Sequence, residues 1–390
     1  MKKRLLAILM ALCIVMLSLV GCESNTEYAK ALRLIEQEDY EQAYELLLQV
    51  GDYKDAPELL ERFCYVPESI CAQSYSAEGI EKGTPSQYAF AYSEENLPLQ
   101  IKCTSSHREI TDDYDYDENG RLITHVYTSP DYSCTSYFAY DENGYLIRGT
   151  TGFLGKSEIY CEYVYDQNGN VIEMIEYLAG KEGEKRQGAY SYTYSSDSNL
   201  IKEEIVRENK YYTVEYTYDD DGNLTQKATV DSDMPNSPSI IQYIYDKQGN
   251  LIKEKGETYA ILQTYDANGN LIRREYWLLF ESTAYTVYDA TYDEVGNLIQ
   301  EILKSGTTTY TTEYTYDPDG SLCEKTVITQ HKGDVPETER TVYDGAGNII
   351  LKVFSYEDGE SWQIKATYRL VYMPYELPET FINNVSSLFR

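Results

Sequence analysis

The sequence predicts a mainly β fold made of tandem hairpins. Three observations carry this: a short unit recurring in phase ten times, an excess of tyrosine, and turn chemistry at one fixed place in each copy. Of 390 residues, 42 are Tyr, against 8 Phe, 2 Trp and 11 Pro. Tyrosine is enriched in strands, and rings on this scale give ample area to bury.

The unit reads aromatic-x-Tyr-Asp-x-x-Gly-Asn-Leu-Ile. It appears over residues 114–123 with Asp117 and Gly120, over 138–147 with Asp141 and Gly144, and over 163–172 with Asp166 and Gly169. Further copies carry Asp219 and Gly222, Asp246 and Gly249, Asp266 and Gly269, Asp293 and Gly296, Asp317 and Gly320, and Asp344 and Gly347. A degenerate copy over 192–201 has Ser195 and Ser198 in place of Asp and Gly. The mean spacing is about 25 residues, in the range of repeat architectures.

Each letter has a mechanical job. Tyr-x-Tyr puts two rings on one face of a strand. The Asp carboxylate accepts backbone N–H bonds inside a turn, and Gly three residues on supplies a positive φ. That is a type I turn closed by a glycine bulge, one of the common hairpin connections. Leu-Ile starts the returning strand. Ten hairpins give about twenty strands, or on the order of 100 Å of flat sheet, and twisted open sheets curl before that. The expectation is a long, curled antiparallel strip, an open or partial shell, with Tyr and Leu rows on its inner side.

Residues 1–21 read as a lipoprotein signal peptide. Lys2, Lys3 and Arg4 precede an apolar run from Leu5 to Val20, shorter than a bilayer span. The run ends in Leu19-Val20-Gly21-Cys22, which resembles a bacterial lipobox: cleavage falls between Gly21 and Cys22, and Cys22 takes the diacylglyceryl group. Two acyl chains give stable anchorage. The chain is then expected on the outer face of a bacterial membrane, held by residues 22–25 as a tether.

Residues 26–66 change period. Ala29, Leu32, Leu34 and Ile35, then Ala43, Leu46, Leu47 and Val50, then Leu59, Leu60 and Phe63 recur at helical spacing. Asp39-Tyr40-Glu41-Gln42-Ala43-Tyr44 and Gly51-Asp52-Tyr53-Lys54-Asp55-Ala56 resemble half-repeats of tetratricopeptide hairpins, too few for a binding groove. Residues 67–110 read as a connecting β segment, 111–375 as the repeat domain and 376–390 as a tail.

The repeat unit resembles the YD repeat of the Rhs family, which includes teneurins and the shell subunits of insecticidal toxin complexes. The resemblance covers about residues 110–352 and implies a β strip spiralling into a shell, used for encapsulation or cell-surface contact. No Asp-Pro-x-Gly ending follows, and the last unit, Asp344-Gly-Ala-Gly-Asn348, is an ordinary repeat.

Function classes narrow from here. With 33 Lys plus Arg against 65 Asp plus Glu, the formal charge is −32. That excludes a nucleic-acid binder working by phosphate neutralisation. The stretch from Asp115 to Gly120 begins like a calcium-binding EF-hand loop, but Val126 stands where the bidentate Glu belongs. Cys64, Cys71, Cys103, Cys134, Cys161 and Cys323 show no metal-ligand spacing, nor do His107, His125 and His331. Among these thiols only Cys64 and Cys71 lie close in sequence. No HExxH, GxSxG or P-loop pattern occurs. We therefore expect no cofactor, no metal and no catalysis. The expected role is a surface interaction or adhesion module for a glycan or protein partner. A shell-like component of a secreted or toxin complex is the alternative, and a carbohydrate hydrolase the weaker one.

Overall fold

A computed structural model describes residues 26–106, 108–154, 157–180, 183–207, 210–356, 359–373 and 377–389. Gly21, Cys22, the signal segment and His107 lie outside the described residues. Three helices come first: α1 over residues 26–36, α2 (Tyr40–Val50) and α3 (Ala56–Leu60). Asp39 caps α2, its carboxylate accepting from the Gln42 backbone N–H. Tyr28, Ala31, Leu46, Leu47 and Ala56 bury one another between the helices.

The strands follow without interruption. They are β1 (Phe63–Tyr75), β2 (Glu81–Tyr92), β3 (Pro98–Thr104), β4 (Glu109–Tyr116), β5 (Leu122–Thr128), β6 (Ser133–Tyr140), β7 (Leu146–Leu154) and β8 (Ser157–Tyr165). Next come β9 (Val171–Gly180), β10 (Gly183–Tyr194), β11 (Leu200–Arg207), β12 (Lys210–Tyr218), β13 (Leu224–Asp231), β14 (Ser239–Tyr245), β15 (Leu251–Lys255) and β16 (Tyr259–Tyr265). The last are β17 (Leu271–Leu278), β18 (Thr286–Tyr292), β19 (Leu298–Ser305), β20 (Thr308–Tyr316), β21 (Leu322–His331), β22 (Glu337–Tyr343), β23 (Ile349–Ser355) and β24 (Ser361–Tyr372). Helix α4 (Glu379–Ser387) ends the chain.

Each strand pairs antiparallel with the next, and β24 then pairs with β1 from Phe63↔Tyr372 to Tyr75↔Ser361. The sheet is thus a closed 24-stranded barrel, not the open curled strip expected from the sequence. The physical reason lies in both ends of the sheet. Residues 63–104 and 361–372 supply four strands outside the ten recognised units, three of them 12 or 13 residues long, and an open sheet would leave two rows of unpaired backbone groups that mutual pairing satisfies. The strand count exceeds twenty for the same reason. Residues 379–387, expected as part of a tail, form a helix. Cys64 and Cys71 both lie in β1, too far apart along one strand to bond, and all six cysteines among the described residues are free.

Because strands alternate in direction, the barrel has two unlike rims. The rim with the repeat turns joins each even strand to the next odd one. The helical module enters β1 at this rim, and α4 leaves β24 from it. The opposite rim carries the loops between hairpins.

Helix α4 lies on the tyrosine face. Phe381 meets Phe90, Tyr92 and Tyr114 at ring-centroid distances of 6.5, 6.4 and 5.8 Å. Phe389 is buried with Ile70, Ala72, Ile364 and Ala366. Core residues around residues 377–389 come from eight consecutive strands, β23 through the seam to β6. Laid flat, those strands would span about 34 Å, while a helix of nine residues is about 13 Å long. The tyrosine face is therefore the concave one.

Candidate functional site

Three repeated devices build the wall and the surface it presents. The first is the turn. In the unit around Asp219, one carboxylate oxygen accepts the Asp221 and Asn223 backbone N–H groups at 3.1 and 2.8 Å. The other accepts the Asn223 side-chain amide at 3.1 Å. The backbone closes as well, Gly222 N–H to Asp219 O at 3.1 Å and Asp219 N–H to Asn223 O at 2.9 Å. Asp, Gly and Asn are thus one self-contained lock. Asp166, Asp246, Asp266, Asp293 and Asp344 sit in the same lock; Asp117 and Asp141 keep its backbone bonds with Arg121 and Tyr145 in the Asn place, and the Arg121 side chain donates to Asp117 at 2.8 Å. Asp317 closes the same backbone bonds, with Asp319 serving Ser321. Gly120, Gly144, Gly169, Gly222, Gly249, Gly269, Gly296, Gly320 and Gly347 all have φ between 74° and 96°. In the degenerate unit Ser198 is held at φ 60°, and the Ser195 hydroxyl oxygen takes over the acceptor role. The asparagine amide is the main reason the carboxyls of Asp166, Asp219 and Asp246 titrate below the ordinary range.

Sequence reading missed an eleventh unit over residues 90–99. Ser93 stands for Asp, and Asn96 for Gly at φ 64°. The turn closes Ser93 N–H to Leu97 O at 2.8 Å. Phe90-Ala91-Tyr92 carried the signal, but neither turn letter was standard.

The second device explains why the ring before the turn is Tyr and not Phe. Its hydroxyl donates to the first carbonyl of the returning strand in the preceding hairpin. Tyr116 reaches Pro98 O at 2.7 Å, Tyr165 Leu146 O at 2.8 Å, Tyr218 Leu200 O at 2.8 Å and Tyr316 Leu298 O at 2.9 Å. Tyr140, Tyr194, Tyr245, Tyr265 and Tyr292 do the same, and Tyr92 donates to Pro67 O within β1. From the Asp117 unit to the Asp317 unit each hairpin is fastened to its neighbour by a side chain as well as by the ladder.

The third device appears only when the strands are placed together. The residue three after the unit's Leu shares the concave face with the tyrosines. From β3 to β9 it is Ile101, His125, Gly149 or Met174; from β11 to β23 it is Glu203, Lys227, Glu254, Arg274, Glu301, Lys325 and Lys352. Tyrosines lie between the charges. Tyr216 donates to Glu203 at 2.9 Å while Lys227 sits 5.7 Å from its ring. Tyr288 and Tyr314 both donate to Glu301, at 3.0 and 2.8 Å, and Arg274 and Lys325 cover their rings. Burial first, then Glu301, pushes the Tyr288 phenol up to about 12, so it stays a donor at neutral pH. The signal was a single column of the repeat, readable only once the bulge in each returning strand is known.

Where α4 covers the face, Asn384 of the helix meets a tyrosine and an Asp–His pair. The Asn384 amide donates to the Tyr114 hydroxyl at 2.8 Å and to Asp112 at 3.3 Å. Asp112 in turn lies 2.8 Å from His125 Nε2.

On β12 and β20 the face opposite the tyrosines is polar, with Thr213, Glu215 and Thr217, and Thr309, Thr311, Glu313 and Thr315; on β14 and β16 it carries exposed Ile244 and Leu262. Among the described residues no helix is long and apolar enough to cross a membrane.

No protein-family profile and no curated protein matches the chain. Among solved structures, a crystal structure of TcdB2-TccC3-TEV aligns at TM-score 0.39 and 14% identity, over 73% of this chain and 16% of that one. The Tc holotoxin pore of Photorhabdus luminescens aligns at TM-score 0.40 and 15% identity, over 72% and 19%. A porin-like protein from Bacteroides uniformis aligns at TM-score 0.23 and 13% identity, over 78% of this chain and 96% of that one. The chain thus spans less than a fifth of the length of the two toxin chains it resembles.

Proposed function

We propose that the chain is a non-catalytic structural barrel, anchored through a lipid on Cys22 to the outer face of a bacterial membrane, whose concave tyrosine face holds polypeptide. One observation carries this reading: the chain's own C-terminal helix is already seated there, with Phe381 at 2% exposure. Closure of the sheet removes strand addition at an edge as a binding mode, which leaves faces and rims. The repeat carboxylates support a non-catalytic role, since their oxygens are committed to turn hydrogen bonds and Glu203 and Glu301 to phenols. The basic, apolar and Leu-Val-Gly-Cys succession supports the anchor. Adhesion to a surface glycan is the second reading, favoured by the tyrosines that remain partly exposed.

Photo-crosslinking residues placed in the full chain in cells separate the two. Position 216 probes the concave face and position 217 the opposite one. The holder reading expects polypeptide adducts from 216 and none from 217. Adducts confined to 217, together with glycan-array binding by the mature chain, would overturn it. A Cys22→Ala chain is expected in the soluble fraction; one still processed and membrane-held would contradict the anchor.

A further inference from the structure

The two rims differ in what they expose. The repeat-turn rim is made of Asp, Ser, Gly and Asn locks, and its exposed large apolar side chains are Tyr145 and Val295. The opposite rim ends in Ile80, Met234, Leu279, Phe280, Tyr285 and Val335, between 51% and 74% exposed. These tips stand on four separate loops, β1–β2, β13–β14, β17–β18 and β21–β22, spread over the arc that runs from β13 through the seam to β2.

From this we infer that the loop rim docks into the interfacial layer of an electrically neutral lipid bilayer. Loop 279–285 shows the chemistry best. Leu279 and Phe280 form its tip, with Trp277 and Tyr285 at its base, the order in which apolar and amphipathic rings meet a bilayer interface. Three backbone hydrogen bonds hold the loop to its neighbours. Leu279 N–H donates to Thr258 O at 2.9 Å, Glu281 N–H to Leu278 O at 3.0 Å, and Tyr285 N–H to Tyr276 O at 2.8 Å. Tyr276 packs edge-on to Tyr285 at 6.1 Å and stacks on Tyr259 at 5.7 Å, which fixes the base.

A protein partner of ordinary size covers one contiguous patch. Apolar tips spaced along that arc, with polar loops such as Glu257-Thr258 and Gly306-Thr307 between them, do not make one. A bilayer takes such tips wherever they fall. The lipid must be neutral, since Asp233, Glu281 and Asp334 lie beside the tips and the chain carries −32 overall, so an anionic surface repels it.

The bilayer is also a second one, which rests on the proposed lipid anchor. Few residues separate Cys22 from α1, and the helical module joins the barrel at the repeat-turn rim. The loop rim therefore faces away from the anchoring membrane, across strands of 5 to 13 residues, on the order of 20–40 Å. Lipid at one end and apolar tips at the other make the barrel a spacer between two membranes.

The test is flotation of the mature polypeptide, produced without its lipid, with phosphatidylcholine vesicles. A Trp362→Phe background leaves Trp277 as the only indole. Wild type is expected to co-float, with a blue shift of Trp277 emission. Phe280→Asp should weaken binding about tenfold or more, while Val295→Asp, equally exposed on the other rim, should leave it unchanged. Folded wild type that stays at the bottom of the gradient overturns the inference, as does Phe280→Asp binding like wild type, or Val295→Asp losing as much. A chain that floats here yet gives no adduct from position 216 would sink the holder reading alone.

Discussion

The sector around the seam and the wall opposite it are the same sheet held together by different physics. From β23 through β1 to β5 the concave face has an apolar core, in which Val66, Ile70, Ile101, Tyr114, Ile364 and Phe381 are each at most 5% exposed, beside an Asp112–His125 pair and Lys352. From β10 to β22 the buried apolar side chains are Ala189, Val214 and Ala260. The wall has a ladder, a turn lock per hairpin, a tyrosine hydroxyl bridge per hairpin, and a row of charges in place of a core. The lesson is that a repeat unit can dispense with a core when each copy satisfies its own polar groups and is fastened to the next, provided that one sector closes the ring.

The largest effect should come from the seam. Phe381→Ala removes a ring from three aromatic contacts and should cost about 3 kcal/mol or more, read as a lowered melting temperature. A loss below about 1 kcal/mol would mean that α4 only rests on the sheet.

Next are the turn glycines. At Gly222, φ is 83° with open space where a Cβ would sit, so Val there costs through backbone strain alone, about 1–3 kcal/mol. In a closed ring no hairpin is terminal, so Gly347→Val should cost about the same as Gly222→Val. A strip with free ends would spare Gly347. In the opposite direction, Ser198→Gly relieves the positive φ of the degenerate unit and should stabilise by up to about 1 kcal/mol.

A single hydroxyl bridge is smaller. Tyr245→Phe deletes the 3.0 Å bond to Leu224 O and leaves that carbonyl one donor short, for about 1 kcal/mol. Equal melting of Tyr245→Phe and wild type would reduce the bridges to decoration.

The smallest effect per site is the acid response. The carboxyls of Asp166, Asp219 and Asp246 are held below their ordinary value of 3.8, chiefly by the asparagine amide. A lowered folded pKa gives stability that is complete above the unfolded value and is lost as pH falls through the folded one. Melting temperature should therefore hold from neutrality to about pH 5 and fall below about pH 4. Asn223→Ala should make that fall shallower.

Much of the wall was legible because its signals are local. Tyr-x-Tyr sets a strand face, and Asp, Gly and Asn lie within one turn, so each can be read from neighbours in sequence. The seam was not legible, because β1 and β24 meet across some 300 residues and their pairing leaves no periodic mark. The eleventh unit escaped because Ser93 and Asn96 do the work of Asp and Gly with different letters. Helix α4 escaped because residues 379–387 have few apolar positions, and only the concave face shows where Phe381 and Val385 go. The charged row was present in one column of the repeat, but its common face depends on a bulge that shifts each returning strand by one residue.

Closure of the ring is the central claim, and one pair of residues tests it directly. Ser69 on β1 and Thr367 on β24 face each other with their hydroxyl oxygens 2.9 Å apart, and both are exposed. In the Ser69→Cys/Thr367→Cys chain, mild oxidation of the folded protein should join the two positions, seen as one cross-linked peptide after digestion under non-reducing conditions. The closed barrel predicts near-complete linkage within a monomer and a higher melting temperature. Free thiols at both positions, or a link that forms only between chains, would contradict it and return the sheet to an open strip.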